Sequence, residues 1–190
     1  VWSHAYDSPM PHDPLAWLTE LEGVPSAHAA TRDGIDVMLR DRGLRRTSPE
    51  STAESLFRGA HASAVLEGAT CTLEEARAGE QDQVTADAMR VSTMLLGQVP
   101  VLQRAPLQVL ARLHATAATG TLPEEELGRP RDAESAQRLS GLAHLLQLRT
   151  DTPAQVLAAV LHADVATAEP FASHNGIVAR ALERLVLVAR

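Results

Sequence analysis

The residues best able to do chemistry lie close together near the end of the sequence, between Glu169 and Arg180. The segment begins with Glu-Pro-Phe-Ala-Ser-His-Asn-Gly, and proline at residue 170 forbids a continuous helix. Asn175 and Gly176 then fall in the first turn of the next predicted helix. Such a turn presents free backbone N–H groups at the positive end of the helix dipole, so the segment predicts an anion-binding site.

Two other interpretations remain open from the residues alone. One is a corner between two helices, in which Phe171 fills the core and no ligand binds. The other is a metal protein, but no two histidines have the spacing of a helical zinc motif and the single cysteine excludes a multi-cysteine site. The histidines considered are His114, His144, His162 and His174. We therefore predict no metal site.

The segment resembles the signature of the Fic/Doc family: His-x-Phe, one residue, an acid, Gly-Asn-Gly-Arg, two residues and Arg. Four residues match this signature in register, namely Phe171, Asn175, Gly176 and Arg180. The preceding helix is also similar, with His162 seven residues before the family's catalytic position. The resemblance implies a helical Fic-like domain and, in its active relatives, magnesium-dependent transfer of AMP from ATP to a hydroxyl of a target protein.

Four positions depart from the signature. The family's catalytic histidine, magnesium-binding acid, first glycine and first arginine are replaced by Glu169, Ser173, His174 and Ile177. Glu169 places a negative charge where a triphosphate must pass, and the Ser173 hydroxyl is a poor magnesium ligand. We therefore predict a pseudoenzyme or binding module that takes a protein partner or a small anion, with ATP and Mg²⁺ bound only if activity is retained. The alternative is an active nucleotidyl- or phosphotransferase of altered chemistry that uses Glu169 or His174.

A second motif lies far upstream, at Ser63-Ala64-Val65-Leu66-Glu67-Gly68. It resembles the family's inhibitory motif, which is Ser or Thr, three residues, Glu, and then Gly or Asn. The resemblance implies that Glu67 pairs with Arg180 in the place that the γ-phosphate of ATP would occupy. We therefore predict an ion pair between Glu67 and Arg180, with Ser63 and Gly68 as the other members of the inhibitory site.

The composition indicates that helices position these motifs. Ala and Leu together number 58, whereas Ile and Val number 17, and small or unbranched side chains favour helix over sheet. We predict an all-α domain of about seven or eight helices, with the helix from residue 153 at its centre and at most a short β-hairpin or flap near 119–131. Residues 1–47 form an arm and a helix, and residues 48–190 form the Fic-like domain with an inhibitory-type helix at 49–66.

Four capping signals set the predicted helix ends. Ser26 is predicted to cap a helix that stops at Gly43, and Ser48 to cap the helix at 49–66. Thr72 and Glu75, three residues apart, form the pattern of a capping box. Ser173 is predicted to cap the last helix, which begins at His174.

The charge balance limits the classes of partner. With a net charge of −7 and a pI near 5.6, the chain is not expected to bind nucleic acid. All 17 basic residues are arginine, which excludes a phosphate-loop lysine and a Schiff base. No apolar run approaches the length of a membrane span and the N-terminus lacks the pattern of a signal peptide, so we expect a cytoplasmic location.

Overall fold

The computed structural model describes residues 13–41 and 48–190. Within these ranges the regular structure is helical, and the all-α prediction is confirmed. The helices are α1 (Val24–Arg40), α2 (Pro49–Leu66), α3 (Leu73–Ala78), α4 (Gln83–Leu95), α5 (Val99–Leu102), α6 (Pro106–Ala118), α7 (Ala133–Gln147), α8 (Ala154–Ala168) and α9 (Asn175–Ala189). Because α5 is a single turn, eight described helices are longer than one turn. In place of a hairpin, residues 119–131 contain one isolated β-bridge and a short 3₁₀ turn.

Helix α9 lies at the centre of the described domain, and the prediction that α8 would do so is wrong. α9 contacts α2, α4, α5, α6 and α8, whereas α8 packs mainly on α9. The prediction rested on the wide apolar stripe of α8, and three of its members, Leu157, Leu161 and Val165, are indeed buried. A wide buried stripe shows that a helix packs closely on a neighbour, here α9, but does not show that it contacts helices on all sides. The buried residues of α9 are Ile177, Val178, Ala179, Ala181, Leu182, Leu185 and Val186.

Two of the four predicted caps are present. The Ser48 hydroxyl accepts the N–H of Ser51 at 3.1 Å, and Thr72 and Glu75 form a reciprocal capping box. Ser26, in contrast, lies inside α1, which begins after Gly23 and ends at Arg40. The predicted stop at Gly43 lies outside the described residues.

The buried face of α6 also differs from the predicted one. The apolar spacing of its sequence predicts a face made of Leu107, Leu110, Ala111 and His114, but Leu107 is 46% exposed. His114 and Leu110 are buried as predicted. At helical spacing, the apolar residues of this segment form two overlapping stripes along α6. The wider stripe faces the core. Its members are Val109, Leu110, Leu113, His114 and Ala117.

Helix α1 carries none of the described core. None of its residues is buried, and its exposed apolar side chains include Ile35, Val37 and Met38. None of the described helices, α1 included, is long and apolar enough to cross a membrane. The parts of the structure that hold the candidate site are therefore α2, α4, α6 and the corner between α8 and α9.

Candidate functional site

The corner between α8 and α9 is shaped by two residues in the left-handed region. Glu169 ends α8 with φ 45°, and His174 precedes α9 with φ 57°. The Asn175 side chain closes the turn between them, because its amide oxygen accepts the Phe171 N–H at 3.0 Å and its amide nitrogen donates to the Phe171 carbonyl at 2.9 Å. Asn175, predicted to bind an anion, thus uses its side chain to hold the loop.

Phe171 anchors this corner in the core. Its buried ring stacks on the imidazole of His114, with ring centroids 4.3 Å apart and planes at 9°. His114 Nδ1 accepts the N–H of Gly128, which ties the segment 119–131 to α6. Gly128 has φ 72°, and a Cβ there would lie 2.7 Å from the carbonyl oxygen of Ala111, so only glycine fits.

His114 is held as a neutral ring. Burial, with a smaller contribution from the nearby His174, lowers the pKa of His114 from 6.5 to about 4. Since Nδ1 accepts a hydrogen bond, the proton of the neutral ring is on Nε2. Nε2 is buried and has no hydrogen-bond partner among the described residues.

Ser173 and His174 form a hydrogen-bonded chain with Asp87 of α4. His174 Nε2 lies 2.8 Å from the Asp87 carboxylate, and His174 Nδ1 lies 2.6 Å from the Ser173 hydroxyl. The carboxylate can only accept, so Nε2 donates to it. Asp87 is almost fully buried and also accepts from Gln83 at 2.7 Å and from Arg90. The Ser173 hydroxyl is therefore one of these three hydrogen-bonded groups. The prediction that Ser173 caps α9 is wrong, because His174 occupies the capping position.

The predicted ion pair between Glu67 and Arg180 is present. The Glu67 carboxylate lies 2.5 Å from Arg180 Nη2, and Arg180 also donates to the hydroxyl of Ser63 at 2.7 Å and to its carbonyl at 3.2 Å. Gly68, with φ 93°, lies directly after Glu67 and ends α2 in the left-handed conformation that favours glycine. The motif residues of α2 thus converge on one guanidinium of α9.

The Glu67 carboxylate lies directly against the first turn of α9. A Cβ placed on Gly176 would be 2.0 Å from Glu67 Oε1, so a side chain at this position would displace the carboxylate. The first backbone hydrogen bond of α9 runs from Val178 to His174, which leaves the preceding N–H groups of the turn without an acceptor inside the helix. Glu67 therefore supplies a negative charge at the end of α9 that was predicted to bind an anion.

The residues present do not fit the magnesium ion that the Fic resemblance implies. Ser173 stands at the metal-binding position, and its hydroxyl is bonded to His174. The nearest buried carboxylate, Asp87, is already bonded to three side chains. Among the described residues, no group of three or more His, Cys, Asp or Glu side chains could hold a metal ion.

Of the two remaining signature positions, one is buried and the other is exposed. Ile177, in place of an arginine, is 3% exposed and belongs to the hydrophobic core. Glu169, in place of the catalytic histidine, is exposed, and no hydrogen bond or ion pair of its side chain is found within the described ranges. The histidines considered as metal ligands are likewise separate, since His162 pairs with Glu183 at 2.5 Å and His144 is exposed.

Sequence reasoning missed Asp87, the partner of His174. A signal was available, because Asp87 falls on the buried face of α4 beside Ala88 and Val91. A carboxylate on the core face of an amphipathic helix requires a partner. The identity of that partner, 87 positions away, depends on how α4 packs on α9.

The fold of the chain is similar to that of a solved protein. The crystal structure of a Fic family protein from Desulfovibrio desulfuricans G20 matches it with a TM-score of 0.67 at 19% sequence identity. The match covers 96% of this chain and 60% of that one, so this chain spans less than two thirds of the matched structure. No protein-family model matches the sequence, and no curated protein does either. The chain thus has a Fic-like all-α fold.

Removing the Glu67–Arg180 pair is expected to destabilise the protein moderately. The side chains are 31% and 22% exposed, between the cases of a surface pair and a buried pair. We expect Glu67→Gln and Arg180→Gln each to lower the free energy of unfolding by about 1–2 kcal/mol. Urea unfolding of both single variants and the double variant measures the coupling, with Arg58→Gln, in an exposed pair with Glu54, as the control. A coupling energy of zero would contradict a stabilising role.

Proposed function

We propose that this chain is a Fic-like domain descended from a protein adenylyltransferase, and that it has lost AMP transfer and serves as a binding module. One observation carries the proposal: the Glu67 carboxylate lies against Gly176 and pairs with Arg180, on the surface that the Fic resemblance assigns to ATP phosphates. The site is filled by a side chain of the chain itself. The inhibitory contact of the family has here become a permanent contact between α2 and α9.

Charge gives the first reason why ATP binds poorly to this site. Arg180 already donates to Ser63 and Glu67, so a γ-phosphate would have to displace both. While Glu67 stays in place, it repels a phosphate that approaches the first turn of α9. Like charges at contact distance in a partly desolvated site cost several kcal/mol, on the order of what a good phosphate contact provides.

The replaced residues give the second reason. A phosphoryl or nucleotidyl transfer depends on positioned positive charge, supplied by metal ions and arginines. Here Ser173 is bonded to His174, and Ile177 is buried in the core. Neither position can neutralise a developing charge on phosphate.

The segment 119–131 supports a role other than modification of a target peptide. The Fic resemblance assigns a flap that docks the target to this segment. Here it contains a single β-bridge, between Thr119 and Leu122, and it is fixed to α6 through Gly128 and His114. It therefore presents no strand edge along which a target chain could pair.

A second candidate function rests on the orientation of His174. Its imidazole is fixed between the buried Asp87 and the Ser173 hydroxyl, as a general base would be. This geometry would allow a transferase of altered chemistry in which His174, or the exposed Glu169, acts as the general base.

A transfer assay separates the two candidates. The protein is incubated with a cell lysate and each labelled nucleoside triphosphate, with Mg²⁺ or Mn²⁺, beside His174→Asn and Glu169→Gln. The binding-module proposal expects no incorporation of label above that of a denatured control. Incorporation that either substitution abolishes would instead establish the transferase.

A further inference from the structure

A cleft of about 470 Å³ lies between α2, α4 and α9, beside the Glu67–Arg180 pair. Its volume is in the range of small-molecule sites. Most of its lining is apolar, with Leu56 and Ala60 from α2, Val91 and Leu95 from α4, and Ile177 and Leu187 from α9.

Each of the three helices contributes small residues to the lining of the cleft. They are Gly59 and Ala60 of α2, Ala88 of α4 and Ala181 of α9. Residues with short side chains at these places leave the space between the helices unfilled. A Cβ on Gly59 would lie 3.0 Å from a guanidinium nitrogen of Arg184, so this glycine lets Arg184 lie along α2.

Arg184 gives the cleft an uncompensated positive charge. Its guanidinium donates one hydrogen bond, to the Ser55 hydroxyl at 3.1 Å, and it has no acidic partner among the described residues. The other arginine of the cleft, Arg180, is neutralised by Glu67. The acidic residue of the lining, Glu183, is bonded to His162 of α8.

We propose that this cleft binds a small amphiphilic carboxylate, with the apolar tail between α2, α4 and α9 and the carboxylate on Arg184. A guanidinium with four unused donors matches a carboxylate bidentately, and burial of the tail adds a hydrophobic contribution. Arg184, which would hold the carboxylate, lies about two turns beyond the first turn of α9, so this inference goes beyond the proposed function and does not depend on it.

The donors around the cleft favour a carboxylate over a nucleotide. The Ser92 hydroxyl donates to the Leu56 carbonyl, so its proton is not available to a phosphate. Ser63 accepts from Arg180 and keeps only its single O–H to donate. A triphosphate needs several positive groups, and the cleft offers one uncompensated guanidinium. A single guanidinium beside an apolar lining matches a ligand with a single carboxylate attached to a hydrocarbon chain or an aromatic ring.

Titration calorimetry with decanoate tests the proposal on the full chain. We expect decanoate to bind, decanol to bind about tenfold or more weakly, and decyltrimethylammonium not to bind. Arg184→Gln should weaken decanoate about 10- to 100-fold, whereas Arg58→Gln, the same charge change on α2 outside the cleft, should leave its affinity unchanged. Ala60→Leu should abolish binding by filling the cleft, with Ala88→Val as a second filling variant should the first fail to fold.

Three results would overturn the proposal. They are no decanoate binding by the folded wild-type protein, equal affinity for Arg184→Gln and wild type, and competition between decanoate and Mg·ATP for one site. The first two leave the proposed function intact, because neither concerns the first turn of α9. The third would contradict both proposals, and the transfer assay would then show whether catalysis accompanies nucleotide binding.

Discussion

Lowering the pH from 7 to 5 is expected to remove about 2 kcal/mol from the free energy of unfolding through His114, and about 3 kcal/mol by pH 4. Burial holds the pKa of His114 at about 4 in the folded protein, against 6.5 for an ordinary histidine. Between these values the unfolded chain binds a proton that the folded protein does not. The contribution is therefore complete above pH 6.5 and is lost as the pH falls towards 4.

Urea unfolding at pH 7, 6 and 5 measures this effect, with His114→Phe as the control. Phenylalanine preserves the stacking on Phe171 and cannot titrate, so its stability should change much less over the same interval. The carboxylates of Asp82 and Asp132 have pKa values lowered by backbone N–H donors, so their contributions are lost mainly below pH 5. An identical pH dependence in wild type and His114→Phe would contradict the assignment of a buried neutral imidazole.

Restoring the signature is expected to create adenylyltransferase activity. The variant combines Glu169→His, Ser173→Asp, His174→Gly and Ile177→Arg with Glu67→Gly. The four signature substitutions restore the base, the metal ligand, the close approach of the backbone to the phosphates and the phosphate-binding arginine. Glu67→Gly releases Arg180 from its ion pair. We expect incorporation of labelled AMP into protein at about tenfold or more above the wild-type background, because each group acts on the charge of the same phosphates.

The structure indicates that these substitutions can be accommodated. Asp87 keeps Gln83 and Arg90 as partners after the loss of His174, and Ile177 lines the cleft, so a longer side chain has space to extend. The matched control is the variant with the four signature substitutions and Glu67 retained, which should remain far less active. If the variant with all five substitutions folds but binds no Mg·ATP, that result would contradict descent of this site from a nucleotide site.

The sequence predicted the contacts that two spaced motifs define. Ser63 lies on α2 and Glu67 at its end, and both ends of α2 were marked, by Ser48-Pro49 and by Gly68. Arg180 follows Asn175 and Gly176 on α9, so the pattern indicated which residues would meet. Capping signals were reliable where the capping side chains had no competing partner, as in the capping box of Thr72 and Glu75. They failed at Ser173, because the His174 imidazole competes for its hydroxyl and Asn175 closes the turn instead.

The remaining features depend on packing that the sequence does not encode locally. The bond between His174 and Asp87 joins residues far apart in sequence, and the stacking of His114 on Phe171 requires α6 to lie against the corner between α8 and α9. The cleft beside Arg184 arises from the distance between three helices. Such features follow from the tertiary arrangement, which periodicity and caps alone do not determine.

Titration calorimetry of the wild-type protein and of Glu67→Gly with Mg·ATP tests most directly the claim that Glu67 fills the former nucleotide site. Since Glu67 occupies the first turn of α9 and neutralises Arg180, we expect wild-type affinity weaker than about 1 mM. Glu67→Gly should bind about tenfold or more tightly than wild type, because Arg180 and the N–H groups of α9 become available. Micromolar affinity in the wild-type protein, unchanged by the substitution, would contradict the claim.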